Sequence, residues 1–453
     1  MKNTIRFSFS LITLMLVASV CVWAGGGTDV TKSKDIVIGN YWEDWNAYTK
    51  DAAGDDNTAL LIEWRKQIQE ENGVKVQEKM IADWGNMLPL ITQYVMAGRP
   101  PAQALRVTPD WAMTLKRQNL LAPISDSKMA NLKSTTNSAK KQLAYDQNIA
   151  NLFTFGGKQY AMAPIAGTGI SGHETIIYFN KRLFREAGLD PDYLYDLQKS
   201  GNWTWNTFME VCKKVTRDVN NNGFIDIYAF PSDHEKQVLD AFVYGNNADY
   251  VVRDASGKFV NASGRPEFIE ALSFIERLDN EGVLQRRPEG SPWNWYETAF
   301  LDGKLAMVIT TQNARWTWRF MKDDYGCVLP PKGPKATEYR VADDDNVIVV
   351  PATYKGDQLD LIMKSVELWL TPAMDIGLEG ERQYYRDSRS INETLAMLGD
   401  PKYKTFRTNM LIPGLETGDI AWVMWWMYGN PAQLVESVSQ KWDSLISDAN
   451  KIK

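Results

Sequence analysis

The sequence predicts an α/β protein of two domains built on parallel sheet, and three observations carry that expectation. Residues 35–40 (Asp-Ile-Val-Ile-Gly-Asn) read as a short buried strand, and Leu60, Leu61, Trp64 and Ile68 recur at helical spacing. Asn72-Gly73 closes that helix before Val74-Lys75-Val76 begins a second strand, giving a βαβ opening and hence a parallel sheet. A chain of 453 residues exceeds one ordinary core, so two domains of roughly 100–200 residues are expected. Finally, residues 156–190 run from a turn through a short strand to a stop at Pro164, then a polar glycine-rich loop holding His173 and Glu174. A buried apolar strand and a short helix closed by Gly188 follow. A polar loop between two apolar strands suits a chain leaving one packed unit for another.

Residues 1–24 have the features of an export leader. Lys2 and Arg6 give a positive start, Phe7 to Val20 an apolar stretch, and Val22-Trp23-Ala24 the small-residue cleavage site. A lipid anchor on Cys21 is the less favoured alternative, because Ala18-Ser19-Val20 departs from the usual residues before such a cysteine. No later stretch approaches the ~20 apolar residues of a membrane helix. With 50 basic against 56 acidic residues the net charge is −6, and removal of Lys2 and Arg6 makes the chain more acidic still, which argues against nucleic acid as a partner. Beyond the leader only Cys212 and Cys327 remain, so no disulfide framework is expected, and the sequence leaves open whether they pair. Two histidines make a histidine-rich metal site or a histidine-based triad improbable. The excess is in tryptophan, 17 residues, many beside carboxylates or asparagines.

In open parallel sheets ligands sit beyond the carboxyl ends of the strands. Directly after the first strand stand Tyr41-Trp42-Glu43-Asp44-Trp45, and Trp42, Glu43 and Trp45 are candidate ligand contacts. A helix from Trp84 ends at Arg99-Pro100-Pro101, and residues 104–107 lead into Thr108-Pro109-Asp110-Trp111. Residues 202–205 start a helix with Phe208, Val211, Cys212 and Val215 on one face. After it, Asp218, Asn220, Asn222 and Asp226, with Gly223 at the sixth place, match an EF-hand calcium loop except that the twelfth place is Ala229. An asparagine-rich turn is therefore favoured over calcium. Asp233 and His234 follow another strand end and are candidates on the same ground as Trp42.

Three blocks resemble family 1 extracellular solute-binding proteins, the group that includes maltose-binding protein. Gly157-Lys158-Gln159-Tyr160 to Pro164 leads through the His173–Glu174 loop into Tyr178-Phe179-Asn180-Lys181 and Ala187-Gly188-Leu189. Ala299-Phe300-Leu301-Asp302-Gly303-Lys304-Leu305-Ala306-Met307 is similar to the family's return crossing, and Tyr325-Gly326-Cys327-Val328-Leu329-Pro330 to the strand after it. Ala97-Gly98-Arg99-Pro100-Pro101 lacks the aspartate usual after the proline.

The resemblance implies a two-lobe, type II-like binding-protein fold whose ligand cleft is crossed more than once by the chain. Residues 25–150 and 297–342 would form one lobe, 151–296 and 343–453 the other. By position, His173 and Glu174 would face the ligand, Asp110 would accept sugar hydroxyls (a helix N-cap is its alternative role), Trp316 would stack on a sugar ring, and Trp422 would close the site. Asp343-Asp344-Asp345 stand where many relatives have glycine, which makes Asp343 a candidate for setting ligand preference. The implied function is extracytoplasmic capture of a carbohydrate for an ABC permease by a monomer, without catalysis or a required cofactor. An exported glycosidase or lyase, or a sensory or adhesive surface protein on the same fold, are the rivals. Arg315, Arg382, Arg386 and Arg389 raise an acidic sugar as ligand, whereas Asp110 and the acids 343–345 favour a neutral one.

Overall fold

The computed structural model describes residues 35–46, 56–128, 144–145, 147–165, 170–232, 235–370, 377–427 and 430–452. The leader and Cys21 lie outside them, as do Asp233 and His234. No helix among the described residues is long and apolar enough to cross a membrane.

The chain opens as its pattern dictates. Strand β1 (Asp35–Asn40) leads to helix α1 (Asp56–Asn72), which buries Trp64 and Ile68 and ends at Gly73 with φ +59°. Strand β2 (Lys75–Met80) pairs parallel with β1, Ile36 opposite Val76. Helix α2 (Trp84–Met96) is capped by Asp83, whose side chain accepts from Asn86 N, and buries Met87, Ile91 and Val95. Strand β3 (Ala104–Val107) joins β1 in parallel on its other side, and helix α3 (Pro109–Arg117) follows. Gly39 is required where β1 passes β3, because a Cβ there would lie 2.8 Å from Ile81 and 3.1 Å from Leu105.

A second sheet is centred on strand β4 (Thr175–Asn180), all six residues of which are buried. Helices α4 (Trp205–Val215), α5 (Glu235–Gly245) and α6 (Pro266–Asn280) come next, α4 opened by a capping box on Thr204 and Thr207. Strands β5 (Met307–Thr311) and β6 (Tyr325–Val328) then flank β4, each antiparallel to it. Cys212 and Cys327 are both buried free thiols.

From β6 the chain passes into β7 (Val341–Asp343) and then β8 (Val347–Val349), which is antiparallel to β3 and to the short strand Ala161–Met162. The first sheet therefore runs Trp45–Asn46, β2, β1, β3, β8, Ala161–Met162. Helix α7 (Asp357–Leu370) covers it beside α1, and Ile36, Ile38, Trp64, Ile348, Ile362, Val366 and Trp369 share one apolar cluster. Strand β9 (Lys404–Phe406) pairs parallel with β7, and helices α8 (Gly418–Met427) and α9 (Pro431–Ala449) pack against α5 and α6.

These pairings differ from the boundaries expected above. Residues 307–328 belong with β4, in what was expected to be the other lobe, and residues 347–370 belong with β1 to β3. The chain returns to the first sheet one crossing later, through Asp343–Asn346. The reason is physical: β5 and β8 are both short apolar runs, buried along most or all of their length, and such a run does not specify its partner strand.

Close packing in the second sheet yields a test. A Cβ on Gly326 would collide with the Tyr195 hydroxyl and lie 2.7 Å from the Phe179 ring edge. Gly326→Ala is expected to lower the unfolding free energy by roughly 1–3 kcal/mol, the usual penalty of overpacking. A urea unfolding midpoint identical to that of the parent would contradict it.

Candidate functional site

Three parallel strands end at one edge of the first sheet, and an aromatic ledge stands beyond them. Asn40 closes β1: its Oδ1 accepts from Trp42 N at 3.1 Å and Glu43 N at 3.2 Å, and its Nδ2 donates to Glu43 O at 2.8 Å. That clamp projects Tyr41 and Trp42 beyond the strand. Tyr41 lies between three indoles, with ring centroids 4.8 Å from Trp42, 5.0 Å from Trp84 and 5.3 Å from Trp111. Trp84 and Trp111 are 4.7 Å apart. Trp84 begins α2 after β2, and Trp111 lies in the first turn of α3 after β3. Trp111 is buried, whereas Trp84 is 57% and Trp42 36% exposed, unusual for residues of this size. Arg106 reaches within 5.1 Å of the Trp42 ring while pairing with Glu78 at 3.1 Å.

Polar groups border the ledge. Tyr41 donates to Asn346 Oδ1 at 2.8 Å, tying it to the turn between β7 and β8. Asp110 is a first-turn residue of α3, whose N-cap is Thr108, so the alternative N-cap role for Asp110 does not hold. Burial holds the Asp110 carboxyl above the usual carboxylate range, and the charge of Glu416 adds to this.

Two of the crossing segments, 171–174 and 343–346, form a buried ion-pair lattice. Glu174 accepts from Ser171 N at 2.8 Å and Gly172 N at 2.9 Å, and Lys404 Nζ lies 3.4 Å from it and 3.2 Å from Asp343. Ser171 donates to Asp343 Oδ1 at 2.7 Å. Arg407 donates to Asp240 at 2.7 Å, Asp344 at 2.9 Å and the Thr175 hydroxyl at 2.7 Å. His173 Nδ1 lies 2.9 Å from Asp344 Oδ1. Glu174 and Asp343, expected to face ligand, thus hold the chain crossings together.

The remaining expected residues are dispersed. Glu43 is exposed beside the ledge, and the Trp45 side chain lies outside the described set. Trp316 is 44% exposed, 4.6 Å from Tyr384, with Arg319 over its ring at 5.1 Å. Trp422 is 49% exposed on α8, near the Lys236–Glu416 pair. Sequence reasoning missed Tyr41, Trp84 and Trp111 as one unit. Their shared signal is placement directly after successive parallel strands, the rule applied only to the first of them.

In the 218–226 loop, Asp218 accepts from Asn222 N and Gly223 N, and Asp226 accepts from Val219 N and Asn220 Nδ2. The twelfth position, Ala229, is buried and offers no carboxylate, so this set does not fit a complete EF-hand site. Among the described residues no group of three or more His, Cys, Asp or Glu is placed to hold a metal ion.

The lattice makes stability depend on pH. Burial opposes charge on His173, but the hydrogen bond and charge of Asp344 outweigh it and raise the imidazolium to about 9. Burial likewise opposes ionisation of Asp344, yet Arg407 and His173 hold it at about 2. Asp345 is pushed up to about 6 by burial, so its own contribution is lost as pH rises through about 6. A group whose folded pKa is raised contributes stability below its unfolded value and loses it as pH rises through the folded value. The His173 contribution is therefore complete below about pH 6.5 and lost through about pH 9. The melting temperature is expected to fall across that window, and His173→Asn to flatten it there. An unaltered slope in the variant would contradict the assignment.

Comparison with known proteins places this arrangement. Residues 47–374 match the family described as bacterial extracellular solute-binding protein. No curated protein sequence matches the chain. Among solved structures, UgpB of Mycobacterium tuberculosis in complex with glycerophosphocholine superposes with a TM-score of 0.64 at 14% identity, over 91% of this chain and 98% of that one. An ABC substrate-binding protein of Listeria monocytogenes in complex with cycloalternan gives 0.60 at 15%, over 92% and 98%. The maltose/maltodextrin-binding domain MalE of Bdellovibrio bacteriovorus bound to maltotriose gives 0.58 at 14%, over 91% and 100%. The fold is thus the two-lobe α/β fold of the periplasmic binding proteins. The chain belongs to the bacterial extracellular solute-binding protein family.

Proposed function

We propose that this protein is the carbohydrate-binding component of an ABC importer, taking a neutral oligosaccharide on the Tyr41–Trp42–Trp84–Trp111 ledge and handing it to a membrane permease. The ledge is the observation that carries this reading: exposed indoles beyond the carboxyl ends of three parallel strands, where such sheets bind ligands. Indole faces pack on the apolar CH faces of a pyranose, while Asp110 and other polar groups at the rim take hydroxyl hydrogens. Trp316 and Trp422 are the candidates for contacts from the second sheet's side, made when the lobes close over ligand. The cycloalternan and maltotriose complexes of structural relatives support a saccharide ligand.

Charge favours a neutral ligand. Arg315 is paired with Glu381 at 3.0 Å, Arg389 with Glu393 at 2.8 Å and Asp196 at 2.9 Å, and Arg386 lies 3.6 Å from Asp324 while donating to Met321 O. Such committed guanidiniums do not select a uronate, and Asp110 repels one. The reading includes export after removal of residues 1–24, a monomeric state and no catalytic step.

Calorimetry with maltotriose and other neutral oligosaccharides tests the proposal. Trp84→Ala is expected to weaken binding by about 1–3 kcal/mol, roughly five- to 150-fold in Kd, with the fold intact. Affinity should barely move between low and high salt. Undiminished affinity in folded Trp84→Ala, or binding confined to anionic sugars and weakened by salt, would overturn it. Release of shorter sugars on incubation would favour the glycosidase reading instead.

A further inference from the structure

Away from the ledge, a cavity of about 590 Å³ opens between the start of α4, one face of α6 and residues 332–336. This is within the usual size of small-molecule sites, roughly 300–1,000 Å³. Its floor is Trp205 stacked on Phe274, centroids 4.4 Å apart and planes inclined by 8°. Trp205 is only 6% exposed, and its Nε1–H has no acceptor among the described residues. The wall beside it is built for close approach. A Cβ on Gly333 would lie 2.8 Å from Trp205 Cζ2, on the same edge of the indole as Nε1, and would strike Asn246 Oδ1.

The lining is rich in donors and carries excess positive charge. Arg277 lies 5.1 Å over the Phe274 ring, and no carboxylate among the described residues comes within ion-pair distance of it. Lys332 contributes a second cation, which donates to Thr337 O at 3.2 Å and lies 5.3 Å over the Tyr339 ring. Glu270, the one acid among the described lining residues, is engaged by Asn246 Nδ2 at 3.0 Å. We propose that this cavity is a second ligand site, for a small organic anion whose carboxylate or phosphate oxygens accept from Arg277 and Lys332 above the Trp205–Phe274 floor. Guanidinium and ammonium groups bind such oxygens through charge-assisted hydrogen bonds, and the Trp205 indole in the floor reports occupancy. None of the lining residues belongs to the ledge, so this site stands or falls independently of saccharide binding.

The test uses the mature protein labelled with 15N at tryptophan indoles, the Trp205 resonance being assigned through Trp205→Phe. Citrate and glycerol 3-phosphate are titrated to millimolar concentration, with glycerol as the neutral control. The expected result is a saturable shift of the Trp205 indole proton with one or both anions and none with glycerol. The responding anion identifies the favoured head group. Arg277→Gln combined with Lys332→Gln, both at the cavity mouth, should raise the Kd about tenfold or more, followed independently by calorimetry. No shift with either anion, or an affinity unchanged in the double variant, overturns the proposal.

Discussion

The guanidinium of Arg407 is the contact on which the rest of the arrangement depends. It is buried and joins three elements distant in sequence: Asp240 on α5, Thr175 at the start of β4 and Asp344 in the turn between β7 and β8. Tyr250 donates to the other oxygen of Asp240 at 2.8 Å, so that carboxylate is satisfied on both sides. A buried charge set of this kind is weak evidence for net stability but strong evidence for geometry. Removing one member strands the others, at about 3–5 kcal/mol. Lys404 does the same for Glu174 and Asp343. Two segments by which the chain passes between the sheets, 171–174 and 343–346, are therefore held by cations from the β9 region.

That constraint decides which polar groups remain for a ligand. Four acids in the crossing segments would make a strongly anionic cleft if they were free. With Arg407, Lys404 and His173 in place, Glu174, Asp343 and Asp344 are neutralised internally. What stays available at the strand ends is the aromatic ledge with Asp110 at its rim. An exposed apolar surface bordered by hydroxyl acceptors suits a molecule that is apolar on its ring faces and polar at its edges, as a pyranose is.

Much of the fold was legible because periodicity and turn residues are local. The β1–α1–β2 opening, the capped start of α4 and the buried strand β4 all lie where the spacing of apolar residues puts them. The exchange of residues 307–328 and 347–370 between lobes was not legible, since an apolar run of five residues fits either sheet. Of the residues proposed here for the site, Trp42 drew notice because it directly follows a strand, and Asp110 through the family resemblance. Trp84 was not, because its meaning comes from Tyr41 and Trp111 on neighbouring strand ends. The ion pair of Glu174 was not legible for the opposite reason: the lysine that engages it stands 230 residues later.

The central claim is that the crossing acids are structural and the ledge receives the ligand. A crystal structure of the protein with a bound neutral oligosaccharide tests it most directly. The account predicts a sugar ring lying against Trp84 and Trp42, with Arg407 still on Asp240 and Asp344 and Lys404 still on Glu174 and Asp343. Sugar hydroxyls bonded directly to Glu174 or Asp343 in place of Lys404, with the ledge bare, would contradict it.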